Sequence, residues 1–340
     1  MTILLVLGTF AATAVLAGLV RRYALTHSVV DVPNERSSHA RPTPRGGGLA
    51  IVAIALAAVA TLAATGQMTP RTALALAGGG LLIALVGWVD DKRDLRASVR
   101  IAAHTAAAAW AVAWLGGMPT LTVGTGAVAL GTGGALLAIL GIVWGTNLYN
   151  FMDGIDGLAA VEAVVVGTTG ALLLASRHSS LGLLGLVLAA AAAGFLTWNW
   201  PPARLFMGDV GSGFLGFAFA VIGVAGENDG AMPALLWILV LGPFFGDATI
   251  TLLRRMRRGE RWYAAHRSHA YQRAVQAGRS HGQVTAAVAL LTALCAALAW
   301  GVLRRPGWLG PAIAGAAAVL SAVYFAVERI HPMETASPES

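Results

Sequence analysis

Five aspartates stand beside glycines in three short stretches. Asp90 and Asp91 fall in GWVDDKRDL, Asp153 and Asp156 in NLYNFMDGIDGLAA, and Asp209 in FMGDVGSG. Carboxylates are hard oxygen donors, and Mg²⁺ usually takes one or two of them together with substrate phosphates. Asp153 and Asp156 are three apart and share a face on a helical turn. Gly154, Gly157, Gly208 and Gly211 let backbone approach a ligand closely and turn N–H groups toward anions. Helices starting just after the second and third stretches would point their positive ends at phosphate. A plainer account is that aspartate favours loops and helix N-termini. It suits Asp156 or Asp209 singly. It does not explain two adjacent acids, Asp90 and Asp91, at a helix C-terminal end, where the helix dipole disfavours them. The set reads as a magnesium site for phosphate chemistry.

The other half of such a site is cationic. Residues 254–273 read RRMRRGERWYAAHRSHAYQR. Arg254 to Arg258 suit a solvated run beside a membrane, whereas His266, Arg267 and His269 are candidates to hold a diphosphate. An earlier loop, RSSHARPTPRGGG, supplies Arg41 and Arg45 before a glycine triplet. It is not a Walker loop, which needs GxxxxGK[ST]. Glu162 and Asp247 lie inside apolar runs. An ionisable residue there is a functional candidate by default, though hydrogen bonding to neighbouring helices explains each as well. The single cysteine, Cys295, sits in an apolar run and suits a small core residue.

These residues need elements to carry them. The 340-residue chain is 57% hydrophobic and 11% charged, with a mean hydropathy of +0.71. Soluble domains carry about 25% charged residues, so a soluble protein is excluded. Eleven apolar runs approach the ~20 residues a spanning helix needs: 2–20, 46–64, 72–89, 98–115, 127–148, 157–175, 180–197, 211–225, 232–253, 283–303 and 308–327. The eighth is short. Arg21 and Arg22 follow the first run rather than precede it, the wrong order for a cleaved signal peptide. With residues 21–45 placed in the cytoplasm and the spans alternating, nineteen of the 23 Lys and Arg fall on the cytoplasmic side, as the positive-inside rule requires. The expectation is an all-α polytopic membrane protein of eleven helices, N-terminus periplasmic and C-terminus cytoplasmic. Residues 1–327 form one membrane domain, and 328–340 form a disordered tail. The net charge of +7 then belongs to one membrane face, where it suits anionic lipid and an anionic substrate alike.

Five stretches taken in order, DVPNERSSHARPTPRGGG, GWVDD, NLYNFMDGIDGLA, FMGDVGSGFLG and HRSHAYQR, resemble the polyprenyl-phosphate N-acetylhexosamine-1-phosphate transferases, bacterial relatives of the enzyme that makes lipid I of peptidoglycan. The resemblance runs from about residue 31 to residue 273. It implies transfer of a sugar 1-phosphate from a UDP-N-acetylhexosamine to undecaprenyl phosphate, releasing UMP, at the inner membrane. It implies Mg²⁺ as cofactor, with Mn²⁺ as a substitute, held by Asp209 and Asp153. Asp90, Asp91 and Asp153 match catalytic positions. Asp90 matches a proposed base, although a phosphate at neutral pH hardly needs one. Asn150, Asp156, Phe206, His266, Arg267, His269, Arg41 and Arg45 match substrate-binding positions, with Asp156 near the uracil and Phe206 stacked on it. Direct attack of the lipid phosphate on the β-phosphorus is expected rather than a covalent aspartyl phosphate. HRSH stands where the peptidoglycan branch has consecutive histidines, so the wording is closer to the initiators of O-antigen and exopolysaccharide. The amino sugar stays open among GlcNAc, FucNAc and QuiNAc. Partners implied are the two substrates and membrane lipids, with no nucleic acid, and a homodimer is one option for assembly.

Other membrane classes fit less well. A transporter of an anionic solute is the main alternative; it calls for polar residues near the midplane and paired broken helices. A CDP-alcohol phosphotransferase needs an arginine and later acids that DGLAAV lacks. A zinc protease needs HExxH, which is absent.

Overall fold

The computed structural model describes residues 2–27, 29–31, 41–175, 180–260 and 266–333. Part of the first arginine-bearing motif (32–40) and of the basic loop (261–265) lies outside them, as does the end of the expected tail, 334–340. Thirteen α-helices are described: α1 (Thr2–Thr26), α2 (Gly48–Ala64), α3 (Pro70–Arg93), α4 (Ala97–Leu115), α5 (Gly133–Phe151), α6 (Leu158–Ala175), α7 (Ser180–Asn199), α8 (Asp209–Asn228), α9 (Ala234–Val240), α10 (Gly242–Arg257), α11 (Ala270–Gln276), α12 (His281–Arg304) and α13 (Leu309–Ile330). Two short antiparallel ribbons join them. Strand β1 (Val30–Asp31) pairs with β2 (Thr43–Pro44), and β3 (Thr120–Val123) pairs with β4 (Gly126–Ala129).

Eight helices are long and apolar enough to cross a membrane, or nine if the bent pair α9–α10 forms one span. Helix α2 has only 17 residues, and in α4 Arg100 and His104 dilute the apolar run. Large apolar side chains cover the outside: Leu4, Leu136, Leu172, Leu290 and Phe325 are all exposed, a pattern that suits lipid rather than water.

Several boundaries depart from the sequence expectation, α1 running on to Thr26 and α3 to Arg93. The fifth span begins at Gly133, not 127. The Gly-rich stretch before it closes a hairpin around Gly124, whose φ of 61° needs no Cβ. Glu227 pins that hairpin, accepting from Thr122 N, Thr122 Oγ1 and Ala234 N at 2.7, 2.6 and 2.7 Å. The ninth run is not one helix but two, bent by 81°. Pro243 in the first turn of α10 has no N–H to continue the ladder from α9. At the end of the chain, α13 continues past 327 to Ile330.

Helix α8 is the hub. It is apolar all round, and almost every residue from Val210 to Glu227 is buried, as such a helix must be. It packs on α3 and α5, with α2 against its first turn. Two glycines allow the closest approaches. A Cβ on Gly48 of α2 would stand 2.3 Å from Gly211 Cα, and one on Gly87 of α3 would stand 2.6 Å from Val210 N. The second contact places Asp90 and Asp91, one turn further along α3, beside the start of α8.

Candidate active site

A cavity of about 940 Å³ opens among the ends of α3, α4, α5, α6, α7, α8 and α12. Its lining includes Asp31, Arg45, Asp90, Asp91, Lys92, Arg100, Asn150, Asp153, Asp156, Asn199, Phe206, Asp209, Gln272 and His281. Carboxylates from three distant stretches thus face one hollow.

At one end, Asp91 caps α8. Its Oδ1 accepts from Asp209 N at 2.9 Å and its Oδ2 from Val210 N at 3.4 Å. A carboxylate at a helix N-terminus meets both unpaired N–H groups and the positive dipole end. Gly208 makes this fit: its φ is 76°, and a Cβ there would sit 2.4 Å from Asp91 Oδ2. Asp90 is anchored by Leu95 N at 2.6 Å and by Arg100 Nη1 at 3.1 Å. Arg100 also comes within 3.9 Å of Asp209 Oδ2. Arg45 bridges Asp31 at 3.3 Å and Asp91 at 3.6 Å. Burial alone would make Arg45 easier to deprotonate, but Asp91, Asp31, Asp209 and Asp153 outweigh it and hold the guanidinium charged.

Asp153 lies in the loop after α5. Burial, then the nearby Asp209 carboxylate, pushes its carboxyl well above the usual range, against the pull of Arg45. The Asp153 and Asp209 carboxylates thus repel one another within one hollow. A divalent cation relieves the same repulsion, so the donor set fits Mg²⁺. Among the described residues no three His, Cys, Asp or Glu side chains are already clustered as a metal cage. Asn150 Nδ2 donates to Ser212 Oγ at 3.0 Å, fixing α5 to α8 beside the acids.

At the other end, Asp156 Oδ2 accepts from Ala203 N at 3.0 Å and lies 3.3 Å from His281 Nδ1. Asn199 accepts from Gly157 N and donates to Leu205 O, both at 3.0 Å. Phe206 is held by its backbone, with its N–H donating to Pro44 O at 2.8 Å and its carbonyl accepting from Gly47 N at 2.9 Å.

Not every expected residue lines this cavity. Arg41 and Arg267, both exposed, lie outside it, as do the half-buried His266 and the buried His269. His269 is buried against Phe151 (ring centroids 6.3 Å) and His266 (4.9 Å). Its Nδ1 stands 3.4 Å from Asp247 Oδ1 without hydrogen-bond geometry. Burial pushes the His266 imidazole down to about 3, with His269 and Arg255 adding to it, so the ring is neutral. A neutral ring cannot offer a diphosphate the charge expected of it. Asp247 caps α11, accepting from Ala270 N at 2.8 Å and Tyr271 N at 3.0 Å. Tyr271 in turn donates to Phe151 O at 2.9 Å and fills the space beside Gly154. Glu162 accepts from Thr292 Oγ1 at 2.7 Å between α6 and α12. The sequence reading missed Asp31, Lys92, Arg100, Asn199, Gln272 and His281. Arg100 could have been found from its place in the first turn of the helix that follows Asp90 and Asp91 after a short loop; nothing local marked the others.

Carboxylates flanked by cations, set at the ends of apolar helices, suit an integral-membrane enzyme that handles phosphate. The profile of Glycosyl transferase family 4 matches residues 73–227, which include Asp90, Asp91, Asp153, Asp156 and Asp209. The chain is 34% identical over 272 residues to the probable undecaprenyl-phosphate N-acetylglucosaminyl 1-phosphate transferase of Bacillus subtilis, covering 78% of this chain and 75% of the relative. It is 30% identical over 315 residues to the decaprenyl-phosphate N-acetylglucosaminephosphotransferase of Mycobacterium tuberculosis strain H37Rv, covering 82% and 77%. With the undecaprenyl-phosphate alpha-N-acetylglucosaminyl 1-phosphate transferase of Escherichia coli K12 it shares 28% identity over 319 residues, 88% and 84% of the two chains. The chain belongs to the polyprenyl-phosphate N-acetylhexosamine-1-phosphate transferases of glycosyl transferase family 4, and it is a multi-pass membrane phosphoglycosyltransferase.

Proposed function

We propose that the protein transfers N-acetylglucosamine 1-phosphate from UDP-N-acetylglucosamine to undecaprenyl phosphate. The products are the lipid-linked sugar diphosphate and UMP. The step initiates a cell-envelope polysaccharide of the O-antigen kind at the cytoplasmic face of the bacterial inner membrane. The observation that carries this reading is the single cavity shared by Asp90, Asp91, Asp153 and Asp209 beside Arg45 and Arg100. The named relatives support the sugar and the lipid.

Eleven spans follow if α2, α4 and the bent pair α9–α10 each cross once beside the eight apolar helices. With the N-terminus periplasmic and the C-terminus cytoplasmic, every helix end lining the cavity falls on the cytoplasmic side. That is where a lipid phosphate at the headgroup plane meets a soluble nucleotide. Residues 1–327 and the end of α13 then make one catalytic domain.

In the reaction an oxygen of the lipid phosphate attacks the β-phosphorus of the donor. The bond from that phosphorus to the bridging oxygen breaks, and UMP leaves with the oxygen. Both reactants are anions, so the protein's work is positioning and charge neutralisation. Arg45 and Arg100 hold the aspartates in place and offer positive charge to the diphosphate. Asp209 and Asp153 would hold Mg²⁺, which when bound neutralises charge developing on the phosphates. Asp91 and Gly208 fix the start of α8, so that Asp209 faces the hollow. A transporter is less well supported, since Glu162 is tied to Thr292 and Asp247 caps α11.

The test is UMP release by purified protein given undecaprenyl phosphate, Mg²⁺ and UDP-sugars one at a time. Release is expected with UDP-N-acetylglucosamine. Silence with every UDP-sugar would remove the transferase reading.

A further inference from the structure

His281 opens α12 directly after Ser280, whose side chain caps that helix by accepting from Gln283 N at 3.2 Å. The ring lines the cavity. Its Nδ1 accepts from Asp156 N at 3.3 Å with hydrogen-bond geometry. A backbone N–H aimed at Nδ1 needs the ring lone pair there, so the neutral ring carries its proton on Nε2. If the ring is charged instead, Nδ1–H turns to Asp156 Oδ2, 3.3 Å away, and Nε2 is still protonated. In both states Nε2–H is a donor. No hydrogen bond from it to a described residue is formed, and the atom is not sealed from solvent.

The contacts divide the cavity into two groups. Arg45, Lys92 and Arg100 stand with Asp90, Asp91 and Asp209, whereas among the described residues no lysine or arginine lines the wall around Asp156, Asn199, Gln272 and His281. A diphosphate belongs with the cations. The second wall presents a donor, His281 Nε2–H, beside an acceptor, the Asp156 carboxylate, with Phe206 in the same lining. That pair is complementary to the imide edge of uracil, where N3–H is a donor and the neighbouring carbonyl an acceptor. Cytosine inverts the pattern at the same edge: N3 accepts and the exocyclic amine donates.

Resting on the uridine-nucleotide reading above, we propose that His281 is a specificity-determining residue that reads a uracil carbonyl while Asp156 takes the adjacent N–H. Cytosine at this wall sets donor against donor and acceptor against acceptor. A site built to pair with a polar edge rejects an analogue that leaves its groups unpaired.

The experiment compares kcat/KM for UDP-N-acetylglucosamine and CDP-N-acetylglucosamine in the full-length wild type, His281→Leu and His281→Gln. In His281→Leu the uridine substrate loses about ten- to hundredfold, mainly through KM, and the preference for uridine over cytidine falls at least about tenfold. In His281→Gln, the amide N–H stands in for Nε2–H and recovers much of that preference. An unchanged preference in His281→Leu, with both substrates slowed alike, overturns the proposal and leaves the ring as a prop for Asp156. Binding of UDP and CDP to the same variants by calorimetry reports the same ratio without turnover. A wild type that binds UDP selectively but releases no UMP therefore counts against the transferase reading and not against His281. Equal binding of the two nucleotides by the wild type overturns it.

Discussion

Asp209 links the acids of α3 to the start of α8. It begins α8, its backbone N–H donates to Asp91, and its carboxylate approaches Arg100. Asp209→Asn keeps the shape and removes the charge. We expect UMP release to fall by about three orders of magnitude, with the protein still inserted and folded by gel-filtration profile. Activity within a few-fold of wild type would take Asp209 out of the metal site. The raised carboxyl of Asp153 sets a pH dependence. Its proton is held more tightly than an ordinary carboxylate's, so the ionised form fills only as pH rises. Metal and proton compete for it. The Mg²⁺ concentration giving half-maximal activity should therefore drop as pH increases, and a pH-independent requirement would refute the competition. At this scale the sequence was informative for acids and silent for partners. Asp90, Asp91, Asp153, Asp156 and Asp209 were legible because acids beside glycines at the ends of apolar runs are costly without a function. Asp31 and His281 were not, because each is ordinary in its own stretch. Only the fold carries His281 to Asp156 across 125 residues.

Elements explain why the site assembles. Gly208 combines a left-handed φ with direct contact to Asp91. Gly208→Ala should cost about 1–2 kcal/mol in backbone strain and push Asp91 off the α8 N-terminus, so activity should fall further than stability. Thermal unfolding alongside UMP release separates the two, and loss of both in proportion would mean that only the fold was damaged. Glu227 supplies the contrast. It secures the β3–β4 hairpin at the opposite ends of the helices from the cavity. Glu227→Ala should lower the melting temperature, since it strands half-buried backbone N–H groups of Thr122 and Ala234, while kcat/KM per folded molecule stays near wild type. A selective loss of turnover would show that the hairpin communicates with the site. Helix positions were largely legible from apolar runs. The break between α9 and α10 was hidden because Pro243 lies within a stretch that is apolar throughout. The hairpin was hidden because Thr, Gly, Ala and Val fill residues 122–129 without a charge to mark the turn. The bend at Pro243 matters to the chemistry, since it orients α10 so that Asp247 caps α11 and steadies Tyr271 beside the Asp153 loop.

The whole molecule is an apolar bundle with its charge gathered at one end of the helices. Cation–ring contacts recur where those helices meet water, as with Lys92 over Trp88 at 4.1 Å and Arg304 over Trp300 at 5.1 Å, the pattern of an interfacial belt. The proposed topology makes a labelling prediction. In a Cys295→Ser background, Thr125→Cys at the hairpin tip should react with a membrane-impermeant maleimide in intact cells. Arg279→Cys, before α12, should react only after permeabilisation. The reverse result would invert the protein in the membrane. The central claim is that carboxylates from three distant stretches gather around one divalent ion. Electron paramagnetic resonance of Mn²⁺ bound to purified protein in lipid nanodiscs tests it most directly. The account predicts one Mn²⁺ per chain, a spectrum that changes on adding UDP, and loss of that site in Asp209→Asn. Undiminished Mn²⁺ binding in Asp209→Asn, or a spectrum indifferent to UDP, would contradict it.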